Sequence, residues 1–245
     1  MSVAERVQAS IRAVNAAERE SVPAGAFTLY RHPASDHPYL NYAVPNAGAT
    51  TWEGIDELLD AFATRGLRPR LEFVAECAPG LEEALAGSGF ELEMRIPVMT
   101  CPAGDLRDVP VPDGIGIAAV SSAADVRAYL EVGAEAFGEP PPSEEQVERT
   151  IPPARGLLAR AGAEAAGAGS RSPIAEGVSE IGGIGVRVCF RRRGIAAAIT
   201  AAAARAAFAD GAELCFLTPG DDGAERVYAR AGFRRAGTTM VHMVG

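Results

Sequence analysis

The segment from Val178 to Asp210 constrains the fold more than any other part of the chain. It begins with a run rich in Ile, Val and Gly, continues with the letters CFRRRG, and ends in a run of small residues. Such an order is typical of a buried strand, a tight arginine-rich turn and a helix that packs closely on a sheet. We predict a strand at Val178 to Val188 and a helix at Gly194 to Asp210.

The turn between these two elements has the chemistry of an anion site. Backbone N–H groups at a helix N-terminus lack intrahelical partners and lie at the positive end of the helix dipole, which suits a pyrophosphate. Gly194 and Ala196 leave room for phosphates to approach the backbone, and the arginines can add charge-assisted hydrogen bonds. An isolated arginine triplet would indicate a solvated turn, but its context favours the anion site. A P-loop is excluded because GxxxxGK[ST] is missing, and without GxGxxG a Rossmann site is unsupported.

The rest of the second half predicts an α+β order. The predicted strands are Ile115 to Val120, Gly156 to Ala161, Ala163 to Ser170, Ala212 to Thr218 and Phe233 to Met243. The predicted helices are Ala123 to Phe137, Pro140 to Thr150 and Asp221 to Ala231.

An internal repeat relates the two halves of the chain. Leu67 to Leu92 predicts a strand, a Pro-Gly turn, a helix and an exit through Gly89, and the segment that exits through Gly232 has the same order. Nothing between Tyr42 and Thr51 resembles the arginine-rich turn. The first half therefore keeps the scaffold pattern and lacks the chemistry.

The chain is long enough for two domains, with 245 residues. A stretch rich in Pro, Gly and Asp runs from Cys101 to Gly114 and marks the predicted boundary. We predict one domain at residues 1–103, opened by an amphipathic helix from Ser2 to Glu20, and a second domain at residues 114–245.

Composition excludes several classes of function. A formal net charge of -9 argues against a nucleic-acid partner, because phosphate binding normally needs a basic face. The four cysteines are widely spaced without a CxxC pair, which indicates reduced thiols in a cytoplasmic protein. His32, His37 and His242 form neither a metal nor a triad pattern. The longest apolar stretch, Gly194 to Ala204, is too short to cross a bilayer, so we expect no membrane partner.

Two segments together resemble a known family. GIGVRVCFRRRGIAAAITAAAARAAF contains Arg191-x-x-Gly194-x-Ala196, and LTPGDDGAERVYARAGFRR contains Tyr228-x-x-x-Gly232-Phe. They are similar to motif A and the following motif of the GNAT (GCN5-related) N-acetyltransferases, over roughly residues 115–245. The resemblance implies the GNAT acyl-CoA N-acyltransferase fold, with a mixed central sheet, flanking helices and a degenerate first half in a tandem arrangement.

The resemblance also implies acetyl-CoA as co-substrate. Main-chain groups of Val186 and Val188 would bind the pantetheine arm, and the turn would bind the pyrophosphate. The residues implied for acetyl-CoA are Val186, Val188, Arg191, Arg192, Arg193, Gly194, Ile195, Ala196, Ala197 and Asp221. Asp221 stands where many members have Asn, so it can accept a pantetheine amide proton but cannot donate one, and as a helix N-cap it needs no other role.

Three further residues are candidates for the chemistry. Tyr228, matched by Leu85 in the first half, would protonate the leaving thiolate, or else it is a core tyrosine. Glu180 would be the general base, as in histone-acetyltransferase-like members, or else it faces solvent or pairs with an arginine. Strict alternation from Glu180 to Val186 predicts that both side chains lie on one face. Phe137 would line the acceptor pocket or belong to the core.

The function expected from this resemblance is transfer of an acetyl group from acetyl-CoA to a primary amine by direct attack. Acidic charge favours a small cationic acceptor, and an aminoglycoside, a polyamine, an amino acid and a protein N-terminus all remain open. The alternative is an acyl-CoA-binding sensor or scaffold without turnover. The oligomeric state, including a homodimer, is also open.

Overall fold

The computed structural model describes residues 1–33, 35–149 and 155–245. The chain forms two compact units, one made of Met1–Val98 and Arg235–Gly245, the other of Met99–Arg234. The division into domains at residues 1–103 and 114–245 stays a prediction.

Helices and strands are mixed along the chain, which confirms the predicted α+β class. The helices are α1 (Val3–Glu18), α2 (Ile55–Ala63), α3 (Leu81–Gly87), α4 (Ala123–Phe137), α5 (Glu144–Arg149), α6 (Ile195–Ala209) and α7 (Asp222–Arg230). The strands are β1 (Glu20–Ala24), β2 (Phe27–Arg31), β3 (Tyr42–Pro45), β4 (Arg70–Val74), β5 (Glu91–Pro102), β6 (Ile115–Ala119), β7 (Gly156–Ala161), β8 (Glu164–Arg171), β9 (Val178–Val186), β10 (Leu214–Leu217) and β11 (Arg234–Val244). No helix in the described ranges is both long and apolar enough to span a membrane.

Local sequence explains where two of the long helices begin. The Ser2 hydroxyl accepts a hydrogen bond from the Glu5 N–H, and the Glu5 carboxylate accepts one from the Ser2 N–H, which is a capping box for α1. Ser122 and Asp125 form the same box at the start of α4. These caps satisfy N–H groups that the first helical turn leaves without partners.

The first unit contains a sheet in the order β1-β2-β3-β4-β11. Neighbouring strands are antiparallel except β3 and β4, which are parallel. Its core includes Phe27, Phe62 and Leu71, each with 0% exposure. A parallel pair needs a crossover, and α2 provides it.

The second unit contains a sheet in the order β5-β10-β9-β8-β7-β6, to which β5 contributes its last residues from Met99. Only β9 and β10 among these neighbours are parallel, and α6 connects them. Helix α6 covers one face, where Ile195 and Ile199 pack with Val186. Helix α4 covers the other face, where Val132 packs with Ala168.

The predicted internal repeat is present as a repeated order of elements. Strand β4, helix α3 and strand β5 match β10, α7 and β11. Gly89 and Gly232 both have left-handed φ angles, of 91° and 107°, and the phenylalanine after each is buried. A glycine at this point allows the chain to reverse after the helix.

Several predicted boundaries differ from those observed by one to four residues, and two of these differences have a clear local cause. Helix α5 begins at Glu144 instead of Pro140, because Ser143 caps it by accepting a hydrogen bond from the Gln146 N–H, at 3.1 Å. Its predicted end at Thr150 lies outside the described residues. Strand β9 ends at Val186 instead of Val188, because the chain turns into a 3-10 turn at Val188–Phe190.

Candidate active site

The parallel strands β9 and β10 separate along their length. They are paired at three positions, from Val178 with Leu214 to Glu180 with Phe216. Strand β10 ends one residue later, whereas β9 continues to Val186. A gap therefore opens beside the last six residues of β9, on the way to the start of α6.

The turn from β9 into α6 depends on two left-handed residues. Arg192 has a φ of 63° and Gly194 has a φ of 86°. Gly194 is the N-cap residue of α6, and a Cβ added there would lie 3.6 Å from Pro112 Cγ. The left-handed backbone is the main reason for glycine at this position, because a branched side chain is strained in that conformation.

The N-terminus of α6 presents unpaired donors and a positive dipole end. The intrahelical bond that closes the first turn runs from the Ala198 N–H to the Gly194 carbonyl, at 3.1 Å. The N–H groups of residues 195–197 therefore have no acceptor within the helix. The first turn of α6 contains no acidic residue, whereas each of the other six α-helices in the described ranges has at least one there. This helix end is suited to an anion.

A pocket of about 530 Å³ lies against this helix end. Nine of the thirteen residues predicted for the site line it. They are Phe137, Val186, Arg191, Arg192, Gly194, Ile195, Ala196, Ala197 and Asp221. The structure thus brings together the turn, the end of β9, the end of α4 and the start of α7.

Several residues that line the pocket are not among those predicted from the sequence. They are Ala136, Ile184, Gly185, Phe190, Gly223, Ala224, Val227 and Arg230. Those on α7 follow the helical spacing of three and four residues, so they form one stripe. This spacing was visible in the sequence and could have identified them once Asp221 was placed at the pocket.

The main-chain groups of Val186 and Val188 that are expected to bind pantetheine form hydrogen bonds with side chains of the second unit. The Val188 N–H donates to Glu135 Oε1 at 2.9 Å. The Val186 carbonyl accepts from Arg191 Nε at 3.1 Å. Val188, Glu135 and Arg191 are all exposed, so water can replace these bonds when the side chains move. Val188 itself does not line the pocket.

Arg193 has a different position from its two neighbours in the triplet. Its guanidinium carbon lies 5.4 Å from the centroid of the Phe190 ring, within the range of a cation–π contact. It does not line the pocket, and we infer that it stabilises the turn.

Tyr228 lies on α7 beside the pocket but does not line it. Its side chain is partly buried and packs against the core cluster that includes Ile181 and Phe233. Burial raises the pKa of the Tyr228 phenol above its ordinary value, and the carboxylate of Asp221 raises it further. Asp221 Oδ1 accepts the Ala224 N–H at 2.7 Å and so caps α7.

A β-bulge changes the predicted position of Glu180. Ala168 pairs with Gly185 and Ser170 pairs with Gly182, so β9 has one residue more than β8 between these pairs. The extra residue reverses the alternation of side chains. Glu180 therefore lies on the face covered by α4, whereas Val186 packs with α6. The expectation that these two side chains share a face is wrong.

Phe137 is the last residue of α4 and is 58% exposed. Phe137 lines the pocket and does not belong to the core.

No group of three or more potential metal ligands occurs in residues 1–33, 35–149 and 155–245.

Comparisons with known proteins agree with this geometry. The sequence model of the "Acetyltransferase (GNAT) family" matches residues 125–233. A GCN5-related N-acetyltransferase from Kribbella flavida superposes with a TM-score of 0.83 at 30% identity, over 100% of this chain and 96% of that one. No curated protein matches the sequence.

Two more distant structures share the fold. A GCN5-related N-acetyltransferase from Sphaerobacter thermophilus has a TM-score of 0.64 at 22% identity, covering 90% of this chain and 76% of that one. A tandem GNAT protein from the clavulanic acid biosynthesis pathway has a TM-score of 0.58 at 15% identity, covering 89% and 78%.

Proposed function

This chain belongs to the GNAT family of N-acetyltransferases, and on that premise we propose that it transfers an acetyl group from acetyl-CoA to a primary amine. The observation that carries this proposal is the N-terminus of α6. Its first three residues line the pocket, and its first turn lacks the acidic residue found in the other described α-helices. A pyrophosphate supplies the negative charge that such a helix end stabilises.

Acetyl-CoA fits the residues that surround the pocket. The amides of Ile195–Ala197 would hold the pyrophosphate, and the exposed side chains of Arg191 and Arg192 would add charge-assisted hydrogen bonds. The pantetheine arm would lie in the gap beside β9. Arg191 would then leave the Val186 carbonyl and Glu135 would leave the Val188 N–H, so that both main-chain groups could bond the pantetheine arm.

Two further residues would handle the protons of this reaction. Bound acetyl-CoA supplies an activated thioester, which the amine attacks directly. Glu180, on the α4 face, would remove the proton from the attacking amine. Tyr228, which packs with the cluster on the α6 face, would return a proton to the sulfur. Its raised pKa keeps the phenol protonated at neutral pH, as a proton donor requires.

A CoA-release assay tests this function and separates it from a sensor. Acetyl-CoA is incubated with the protein and one primary amine at a time, and the same mixture without amine is the blank. We expect at least one amine to accelerate CoA release above the blank. Tight acetyl-CoA binding without any acceleration would contradict the transferase and favour the non-catalytic alternative.

A further inference from the structure

Two carboxylates on α4 face one arginine of the turn that follows β9. Glu131 and Glu135 lie one helical turn apart on α4, and Arg187 follows the last residue of β9. Arg187 Nη2 donates to Glu131 Oε2 at 3.3 Å, whereas Arg187 Nε lies 3.7 Å from Glu135 Oε2. The second distance is too long for a hydrogen bond. The ion pair between Arg187 and Glu135 is therefore incomplete.

Glu135 bonds a main-chain group instead. Its Oε1 accepts a hydrogen bond from the Val188 N–H at 2.9 Å. This N–H is one of the main-chain groups expected to bind pantetheine, so in the structure a carboxylate occupies it. An ionised acceptor forms a stronger hydrogen bond than the neutral amide carbonyl of a pantetheine arm. The arm must therefore displace Glu135 before it can bond Val188.

The Nε–H of Arg187 offers the displaced carboxylate another partner. This Nε is buried, and no acceptor in residues 1–33, 35–149 and 155–245 bonds it. A buried donor without an acceptor is destabilising, so a hydrogen bond formed there is favourable. A small rotation of the Glu135 side chain would bring Oε2 within bonding distance of it. Glu135 therefore has two alternative donors, of which the structure shows one bonded and the other vacant.

The exchange between these donors takes place beside the pocket. Ala136 and Phe137, the two residues after Glu135, line the pocket. A Cβ added to Gly185 would lie 2.7 Å from Ala136 Cβ, so α4 and β9 are in close contact here. The Glu135 side chain is exposed, whereas the helix beneath it is fixed by this contact. The carboxylate can therefore change partners without moving the wall of the pocket.

We propose that Glu135 is a latch on the acetyl-CoA site. Without acetyl-CoA its carboxylate bonds the Val188 N–H, and when the pantetheine arm enters, the carboxylate transfers to Arg187 Nε. The latch rests on the proposed function for the identity of the ligand, and it adds a regulation of the same site. Glu135 competes with the pantetheine arm for Val188 and so lowers the affinity for acetyl-CoA.

Removing the competitor is the first test. Calorimetry with acetyl-CoA compares Glu135→Ala with a matched control, Glu131→Ala, which loses a carboxylate one turn earlier on the same helix. A hydrogen bond to a charged group changes an equilibrium constant roughly ten- to hundred-fold, and the bond gained at Arg187 offsets part of this effect. We therefore expect Glu135→Ala to bind acetyl-CoA roughly three- to ten-fold more tightly than wild type, and the control to stay within about two-fold.

A truncated ligand separates the latch from simple charge repulsion. Adenosine 3′,5′-bisphosphate keeps phosphate groups and lacks the pantetheine arm. Removing a negative charge near the turn would favour both ligands, because both are anions. The latch opposes only the ligand with the arm, so we expect wild type and both variants to bind the bisphosphate equally. Equal tightening of both ligands, or equal tightening of acetyl-CoA in both variants, would show that charge alone acts and would overturn the latch.

The transfer of the carboxylate is the second test, made on wild-type protein by NMR. The Arg187 Nε–H signal is assigned by its loss in Arg187→Lys. A new hydrogen bond to a carboxylate moves such a proton signal to lower field, so acetyl-CoA should shift it and adenosine 3′,5′-bisphosphate should not. A signal that acetyl-CoA leaves in place would contradict the latch, whether or not Glu135→Ala folds.

The latch and the proposed function fail in different ways. If the affinities follow the expected pattern and no amine accelerates CoA release, the transferase is contradicted and the latch stands. If an amine accelerates CoA release and Glu135→Ala binds acetyl-CoA no more tightly than wild type, the latch is wrong and the function stands.

Discussion

Tyr228 is a partly buried phenol whose proton affinity is set by its surroundings. Burial and the nearby Asp221 carboxylate both raise its pKa. We predict that Tyr228→Phe lowers kcat roughly 10²- to 10⁴-fold, the usual effect of losing general-acid catalysis. The affinity for acetyl-CoA should stay nearly constant, because the ring still packs. Steady-state kinetics and calorimetry provide the two measurements.

Tyr30→Phe is a matched control for that variant, since Tyr30 is a tyrosine of the first unit with 5% exposure. It should keep wild-type turnover. If Tyr228→Phe also keeps wild-type turnover where chemistry is rate-limiting, Tyr228 serves only packing.

His242 belongs to a buried polar cluster in the first unit. The Arg70 guanidinium is 1% exposed, donates to Glu72 at 3.2 Å, bonds Glu93, and lies 2.7 Å from His242 Nδ1. Because arginine can only donate, Nδ1 must be unprotonated. Burial lowers the pKa of His242, Arg70 lowers it further, and Glu72 and Glu93 oppose this shift. The folded state therefore favours the neutral imidazole.

The sign of this shift predicts a pH-dependent stability. The folded pKa lies below the ordinary value of 6.5, so the unfolded chain binds more protons as the pH falls below that value. We predict that the free energy of unfolding decreases from pH 7.5 to pH 5.5, by at most about 1.4 kcal/mol per pH unit from this one group. Urea unfolding of His242→Asn, which keeps an acceptor for Arg70, should show a shallower decrease. Equal pH slopes would contradict this role of His242.

The anion site proposed for helix α6 lies at its N-terminus, so the other end of the same helix provides an internal control. Gly194 precedes the helix with a φ of 86°, and Gly211 follows it with a φ of 101°. Valine is strained at both positions, so both variants should lower the melting temperature. We predict that Gly194→Val alone weakens acetyl-CoA binding, by roughly ten-fold or more, because it disturbs charge-assisted hydrogen bonds to the pyrophosphate. Calorimetry that finds equal affinities in the two variants would contradict the assignment of this helix end.

Across the whole molecule, the repeat presents two helices in equivalent positions, but only one is suited to a pyrophosphate. Helix α2 of the first unit also begins after a glycine with a φ of 86°, Gly54. Its first turn contains Asp56 and Glu57, which oppose an anion. A Cβ on Gly54 would lie 2.6 Å from Gly25 Cα, so the turn between β1 and β2 fills this space.

We therefore predict one acetyl-CoA per chain. Calorimetry should give a stoichiometry near one, and the arginine-rich turn of the second unit should account for all of the binding. A second site of comparable affinity would show that the first unit keeps a function that its sequence does not indicate.

The sequence by itself determined the features that depend on local chemistry. The arginine-rich turn, the glycine before α6 and the repeated order of strand, helix and strand are all encoded in short segments, and the structure contains each of them. Periodicity located α4, α6 and α7 to within about one residue, because apolar spacing reports directly which face of a helix is buried.

Only the tertiary structure decided which face of the sheet Glu180 occupies. The bulge depends on how β9 pairs with β8, and alternation within one strand cannot reveal an extra residue relative to its partner. Tertiary packing also brought the end of α4 and the start of α7 to one pocket, so that Phe137 and Asp221 line it together although they are more than eighty positions apart in the chain.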